Sequence, residues 1–256
     1  MSRSVKRGAA VVCQSCQTLG RMTTAPLPPT APPAIDPETQ MNWPTQTQLS
    51  ALSTLPTGYS YELLTERSIS ELVRAMTDWH QSFSVGAASA YRRESFYREN
   101  AYLGGSDQKN ILVLLIRKDS DLAGMFSAEC DPDTLSLYAR LAVVSPEHRG
   151  AGIMVPTSKL LEPMAKSMGL EFVYAMATLK IPHVQMTFER LGYRLLGFVP
   201  GYDREEVSPG NIKRVCEAVY GKVLVSPDSL LQPDAANLTP AAKALFDSVF
   251  PKGLGS

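Results

Sequence analysis

The sequence predicts an α/β fold of the α+β kind, with a mixed, mostly antiparallel central sheet and flanking helices. Three observations predict it. Between Ile111 and Val144, three apolar runs are separated only by tight turns, as in an antiparallel meander. The third run leads through a loop, Pro146 to Met154, that carries Gly150 and Gly152 and opens a helical pattern. That helix and the apolar run after it complete a β-α-β crossover.

Taken in order, folded sequence is expected to begin near Trp43. Tyr59–Arg67 reads as the first strand. Ser68 is placed to cap the next helix, with Glu71 three residues on as its capping-box partner. Ile69, Leu72, Val73 and Met76 recur at helical spacing and carry that helix towards His80. Ser89–Asn100 reads as a second helix. Ile111–Lys118 is apolar almost throughout, as in a strand buried on both faces. Asp119–Asp121 turns the chain into Leu122–Cys130, and Asp131–Thr134 turns it again into Leu135–Val144.

The helix after the glycine loop spans about Gly152 to Met168. It has Pro156 in its first turn and Pro163 inside, where proline costs ~3 kcal/mol and kinks a helix. Leu170–Thr178 is a strand, Pro182–Gly192 a helix and Tyr193–Pro200 the last strand of a domain covering residues 41–200. Residues 201–256 are expected to form a helical extension packed on it. One helix runs from Pro209 to about Tyr220 with Ile212, Val215, Cys216 and Val219 as its stripe. The other spans Thr239–Phe250, is capped by Thr239, and has Ala242, Leu245, Phe246 and Val249 on one face.

Among 256 residues, 25 are lysine or arginine and 25 aspartate or glutamate, so no global basic excess points to nucleic acid or to an anionic membrane. No run reaches the ~18 apolar residues of a spanning helix. Neither nucleic acid nor membrane is an expected partner. Residues 1–40, with Pro26, Pro28, Pro29, Pro32, Pro33 and Pro37, read as a disordered leader that cannot bury a core. Its Cys13 and Cys16 form a C-x-x-C with no second pair, and the nearest histidine is His80, so two free thiols are expected rather than a zinc site. With Cys130 and Cys216 they suit a reducing cytoplasm.

The loop poses the chemical question. A helix start leaves about four amides without intrahelical partners and carries a partial positive charge, which together suit an anion. Gly150 and Gly152 would let the backbone wrap that anion, and Arg149 would add a fixed charge. Read alone, the loop fits a tight turn with an exposed arginine equally well. It is not a Walker loop, since no G-K-[ST] closes it, and Val155 stands where a dinucleotide fingerprint needs glycine.

The stretch V-S-P-E-H-R-G-A-G-I, Val144–Ile153, resembles the acyl-CoA signature of the GNAT superfamily of N-acetyltransferases, and F-E-R-L-G-Y, Phe188–Tyr193, resembles that family's Y-E-x-L-G-F. The resemblance covers about residues 59–199. It implies a splayed strand pair, Leu135–Val144 and Leu170–Thr178, with the acyl thioester of acetyl-CoA in the gap. It implies that Ala142, Val143 and Val144 face the pantetheine arm, that Arg149, Gly150, Ala151, Gly152, Ile153 and Met154 hold the pyrophosphate, and that Phe188 packs on the CoA arm or in the core. Acetyl-CoA is then a co-substrate, no metal is called for, and a primary amine, expected on a small molecule, attacks the thioester directly.

The sequence departs from the family's pattern in its proton-transfer groups. Phe188 replaces the tyrosine that serves as general acid, Ile181 replaces a helix asparagine, and Leu135–Val144 contains no acid. Candidate bases are therefore His183, Glu129 and Tyr202. His183 in the first turn of its helix fits a packing or capping role as well as a catalytic one. The alternative to an enzyme is a CoA-binding sensor or interaction module. The C-terminal helices would cover the acceptor site or form a homodimer contact.

Overall fold

Trp43 opens the fold in the computed structural model, which describes residues 42–254. Its ring is buried and its Nε1 donates to the Lys109 carbonyl at 2.7 Å. The proline-rich leader, with Cys13 and Cys16, lies outside the described residues. The elements are α1 (Gln46–Leu52), β1 (Tyr59–Leu63), α2 (Ile69–Trp79), α3 (Glu94–Asn100), β2 (Ala101–Tyr102), β3 (Ile111–Lys118), β4 (Asp121–Asp131), β5 (Ser136–Val144), α4 (Met154–Lys159), α5 (Leu161–Ser167), β6 (Phe172–Thr178), α6 (His183–Arg190), β7 (Arg194–Ser208), β8 (Asn211–Val223) and α7 (Pro240–Val249).

The sheet runs β1-β3-β4-β5-β6-β8-β7, with β2 beside β3. Its pairs are antiparallel except β2–β3 and β5–β6, as expected of a meander joined to one crossover. The apolar run of β3 explains the layering. Ile111, Val113 and Leu115 pack with Ile69, Leu72 and Met76 of α2 and with Tyr97 of α3 on one face. Leu112, Leu114 and Ile116 pack with Leu49 of α1 and with Leu161, Met164 and Ala165 of α5 on the other. Strand alternation thus puts one apolar set on each face, and helices cover both.

Four local expectations are corrected. Ser68 does not cap α2: its hydroxyl accepts from the Thr65 amide and donates to the Thr65 carbonyl, both at 3.1 Å, closing a 3-10 turn at Glu66–Ser68. Glu71 instead meets the Arg117 guanidinium with both oxygens at 2.7 Å, and Arg117 also binds Glu62. That bidentate contact holds the Glu71 carboxyl below the usual carboxylate range. Of the expected helix Ser89–Asn100, only its second half is α-helical (α3); a 3-10 turn, Ala87–Arg92, precedes it. The helix expected across 152–168 is two, meeting at Leu160. Pro163 explains the break, because its ring clashes with the carbonyl four residues earlier, at Lys159, and it has no amide to bond there.

The largest correction is C-terminal. Residues 209–220 are not helical. They belong to a long hairpin in which Ser208 pairs with Asn211 across Pro209-Gly210. Gly210 has φ +71°, so proline at i+1 and a left-handed glycine at i+2 make a type II turn. The expected domain boundary at 200 falls inside β7, and β8 inserts between β6 and β7 as a sheet strand. The last expected helix exists as α7, capped by Thr239, whose hydroxyl accepts from the Ala242 amide. None of its side chains is fully buried, and Leu245 is exposed.

Leu114 is fully buried between α1, α5 and the sheet. Leu114→Ala is expected to destabilise the protein by ~2–5 kcal/mol in urea unfolding. A loss below 1 kcal/mol would contradict this packing of the sheet.

Candidate functional site

The site begins with a failure of two strands to stay paired. β5 and β6 are in register only from Ser136–Ala139 against Phe172–Ala175. Beyond those residues β5 runs on to Val144 with β4 alone, and β6 runs on to Thr178 with β8 alone. The cause sits at Arg140. Ala128 pairs with Ala139 and Ser127 with Leu141, so Arg140 is an extra residue in β5. Such a bulge bends its strand and adds twist, which turns β5 away from β6.

Side chains hold the bulge in place. The Arg140 guanidinium pairs with Glu129 and donates from Nε to the Tyr91 hydroxyl at 3.1 Å. That hydroxyl lies 2.7 Å from Ser127 Oγ, and Tyr97 donates to the Tyr91 carbonyl at 2.6 Å. Tyr91, Tyr97 and Ser127 are buried, and burial pushes the tyrosine hydroxyls well above their usual pKa.

A cavity of about 560 Å³ fills the gap between the strands. Ala142 and Val144 of β5, Met154 and Ser158 of α4, and Phe188 of α6 line it towards α4. Tyr138, Met176, Tyr202 and Glu217 line the opposite end, with His80, Phe83 and Tyr91 from the segment after α2. That segment is pinned to β7: the Ala87 amide donates to Asp203 Oδ1 at 2.9 Å. Gly86, at φ +76°, passes so close that a Cβ would lie 2.1 Å from the Arg204 carbonyl oxygen.

The glycine loop lies between β5 and α4. Gly150 and Gly152 have φ of +82° and +75°, and nothing lies within 4 Å of a Cβ built on either. The conformation therefore favours glycine, and the space beside both residues is open. Tyr59 Oη lies 3.0 Å from His148 Nδ1, which ties the loop to β1. Arg149, Gly150 and Gly152 are exposed. The positive charge of Arg149 reaches His80, whose pKa is lowered first by burial and then by that charge.

The sequence candidates sort by position. Ala142, Val144, Met154 and Phe188 line the cavity. The Val143 and Ile153 side chains instead enter the two cores, on the α2 and α5 sides, and Ala151 packs against the second. Phe188 packs edge-on to Tyr193, with ring centroids 5.0 Å apart, and lies near Tyr220, so it also belongs to the core. His183 lines the cavity at the exposed start of α6. Tyr202 lines it too, its hydroxyl 3.2 Å from that of Tyr138. Glu129 does not line the cavity and is neutralised by Arg140.

Sequence reasoning missed Glu217. It sits on β8 opposite Thr178 of β6 and Val199 of β7, is 9% exposed, and lines the cavity. Burial, with a smaller push from Asp203, raises its carboxyl above the usual range, and Lys180 partly offsets this. The signal available was a lone acid in the stretch Val215–Val223, whose valines and Tyr220 suit a strand, hidden by a helical reading of that segment. Among the described residues no cluster of three or more His, Cys, Asp or Glu could hold a metal ion, and no helix is long and apolar enough to cross a membrane.

No protein-family model matches the chain, and no curated protein matches its sequence. The structure is similar to several solved acetyltransferases. A spermidine N-acetyltransferase of Vibrio cholerae superposes with a TM-score of 0.52 and 11% identity, over 66% of this chain and 95% of that one. A ribosomal-protein-S5-alanine acetyltransferase of Vibrio fischeri does so with 0.52 and 12%, over 67% and 96%. A ribosomal L7/L12 alpha-N-protein acetyltransferase in complex with coenzyme A gives 0.52 and 11%, over 67% and 97%. At such identities the likeness speaks for the fold: the chain has the fold of the GNAT N-acetyltransferases, an open mixed sheet with a splayed strand pair.

Proposed function

We propose that the protein is an acyl-CoA-dependent N-acetyltransferase that moves an acetyl group from acetyl-CoA to a primary amine of a small molecule. The observation that carries this reading is the cavity in the β5–β6 gap, flanked at the end of β5 by an open glycine loop at a helix start. Beyond Ala139, β5 has a free edge towards the gap. Its backbone from Ala142 to Val144 offers hydrogen bonds to the pantetheine arm. The amides of Arg149–Met154 and the Arg149 guanidinium receive the pyrophosphate. A strand amide in the gap donates to the thioester carbonyl as charge develops on its oxygen. The amine enters from the end lined by Tyr138, Tyr202 and Glu217, beneath the segment after α2. Cys130 and Cys216 are free thiols, which supports a reducing cytoplasm.

Phe188 favours one other reading, a CoA-binding sensor without turnover, since no hydroxyl stands there to protonate the leaving thiolate. A thiol of pKa near ~8.5 leaves without that help. Release of CoA thiol separates the two: with acetyl-CoA and a panel of primary amines, the enzyme releases thiol in an amine-dependent manner. Gly152→Trp is expected to fold and to lose this release by at least about tenfold through weaker CoA binding. Amine-independent or absent release from a folded wild type would leave the sensor reading.

The field of Arg149 on His80 gives a second test. A bound pyrophosphate neutralises that field, so saturating CoA is expected to raise the His80 pKa, read from its ring signals in an NMR titration. The shift stops short of an exposed imidazole, because burial still disfavours the cation. A His80 pKa that falls at saturating CoA would mean that added burial outweighs the neutralised Arg149 charge, and would contradict this prediction.

A further inference from the structure

Three carboxylates line the end of the cavity away from α4, and two of them are occupied. Glu205 pairs with Lys180. Asp203 accepts from the amides of Ala87 and Arg204 at 2.9 and 2.6 Å. Among the described residues the Glu217 side chain forms no hydrogen bond or ion pair; the residue is buried in the sheet and its carboxylate opens onto the cavity. A carboxylate partly withdrawn from water and left unpaired is costly, and a cation that reaches it through the cavity relieves that cost.

We propose that Glu217 is the acceptor-site base: its carboxylate binds the incoming primary ammonium and takes a proton from it. The inference rests on the acetyltransferase reading and adds a residue and a substrate class, a cationic amine. In the step, the ammonium gives one proton to Glu217 and becomes a neutral amine. Its lone pair forms the C–N bond to the thioester carbonyl, and the C–S bond breaks. The second proton lost from nitrogen goes to the departing thiolate, giving CoA thiol, and Glu217 returns its proton to water. Position supports the role. Thr178 and Glu217 are cross-strand partners at the end of β6, on the sheet face that carries Met176 and Tyr174 and away from the α5 core. An amine held there approaches the gap from the side opposite the glycine loop. His183, by contrast, is exposed. The raised Glu217 pKa makes it a better base than an ordinary carboxylate.

The charged and titratable groups lining the cavity with Glu217 are Tyr202, Asp203, Arg204 and Glu205 of β7, Lys180 beyond β6, Tyr138 and Arg140 of β5, His183 of α6, and His80 and Tyr91 of the segment after α2. The test compares the full-length wild type with Glu217→Gln and Glu217→Asp, using acetyl-CoA and a panel of mono- and diamines. Thiol release is followed across pH, and melting temperature with and without acetyl-CoA. Expected is a ~10²–10⁴-fold loss of kcat in Glu217→Gln, partial rescue by Glu217→Asp, and loss of the acid limb of kcat/KM. Stability gives an independent readout. A carboxyl whose folded pKa is raised costs stability as pH rises from the unfolded value through the folded one, so Glu217→Gln is expected to melt higher than wild type at pH 8.

Glu217→Gln turning over within threefold of wild type, with the acid limb intact, would overturn the proposal. So would a variant that melts lower and loses activity only with its fold, since Glu217 would then be structural. A wild type stabilised by acetyl-CoA that acetylates no amine would overturn it while leaving the CoA site standing. A wild type that acetyl-CoA does not stabilise would remove the acetyltransferase reading itself.

Discussion

The parting of β5 from β6 is the constraint on which the rest of the molecule depends. A parallel pair normally continues until one strand ends, because every unpaired backbone group needs another partner. Here both strands go on after they separate, by five residues in β5 and three in β6. Each survives because its far neighbour, β4 or β8, still pairs with it. The one-residue bulge at Arg140 supplies the bend, and the chain Glu129–Arg140–Tyr91–Ser127 ties that bend to the core on the α2 side. The consequence is a wedge of space with backbone along one wall.

The two sides of the wedge have different chemistry because different elements reach them. On the α4 side stand a helix start, two left-handed glycines and Arg149, all suited to anions. On the other side stand tyrosines, carboxylates and the cations Arg140, Lys180 and Arg204; Arg140 and Lys180 are paired with Glu129 and Glu205, which leaves the Glu217 carboxylate to face a cation. The segment after α2 closes this second side through Gly86 and Asp203, and it depends on the long β7–β8 hairpin for its footing. Residues of the β7–β8 hairpin, Tyr202 to Glu205 and Glu217, thus line the candidate site rather than forming an appendage to it.

Much of this was legible in the sequence. The β3–β5 meander, the glycine loop, the crossover to β6 and the short helix α6 follow from apolar runs, turn residues and glycine placement. What was missed has physical reasons. In residues 209–220 the apolar spacing of Ile212, Val215, Cys216 and Val219 fits a helix, while Pro209-Gly210 fits either a helix start or a type II turn. Tertiary pairing on both edges decided for the strand. That error hid Glu217, since a helical reading puts it on a polar face and a strand reading puts it in the sheet facing a cavity. Pro163 was visible as an irregularity, but its effect, a full break at Leu160, needed the backbone. The bulge was invisible, since no residue type at 140 demands it. Glu129 and Arg140 lie eleven positions apart, and only the β4–β5 register brings them together.

The most direct test of the central claim asks where acetyl-CoA lies. Hydrogen exchange followed by mass spectrometry on the full-length chain, with and without saturating acetyl-CoA, reads this by segment. The account predicts slower exchange in residues 140–144 and 149–158, with residues 111–118 of the buried central strand unchanged because they are already protected. Unchanged exchange in both segments at millimolar acetyl-CoA, or protection confined to another part of the chain, would contradict it.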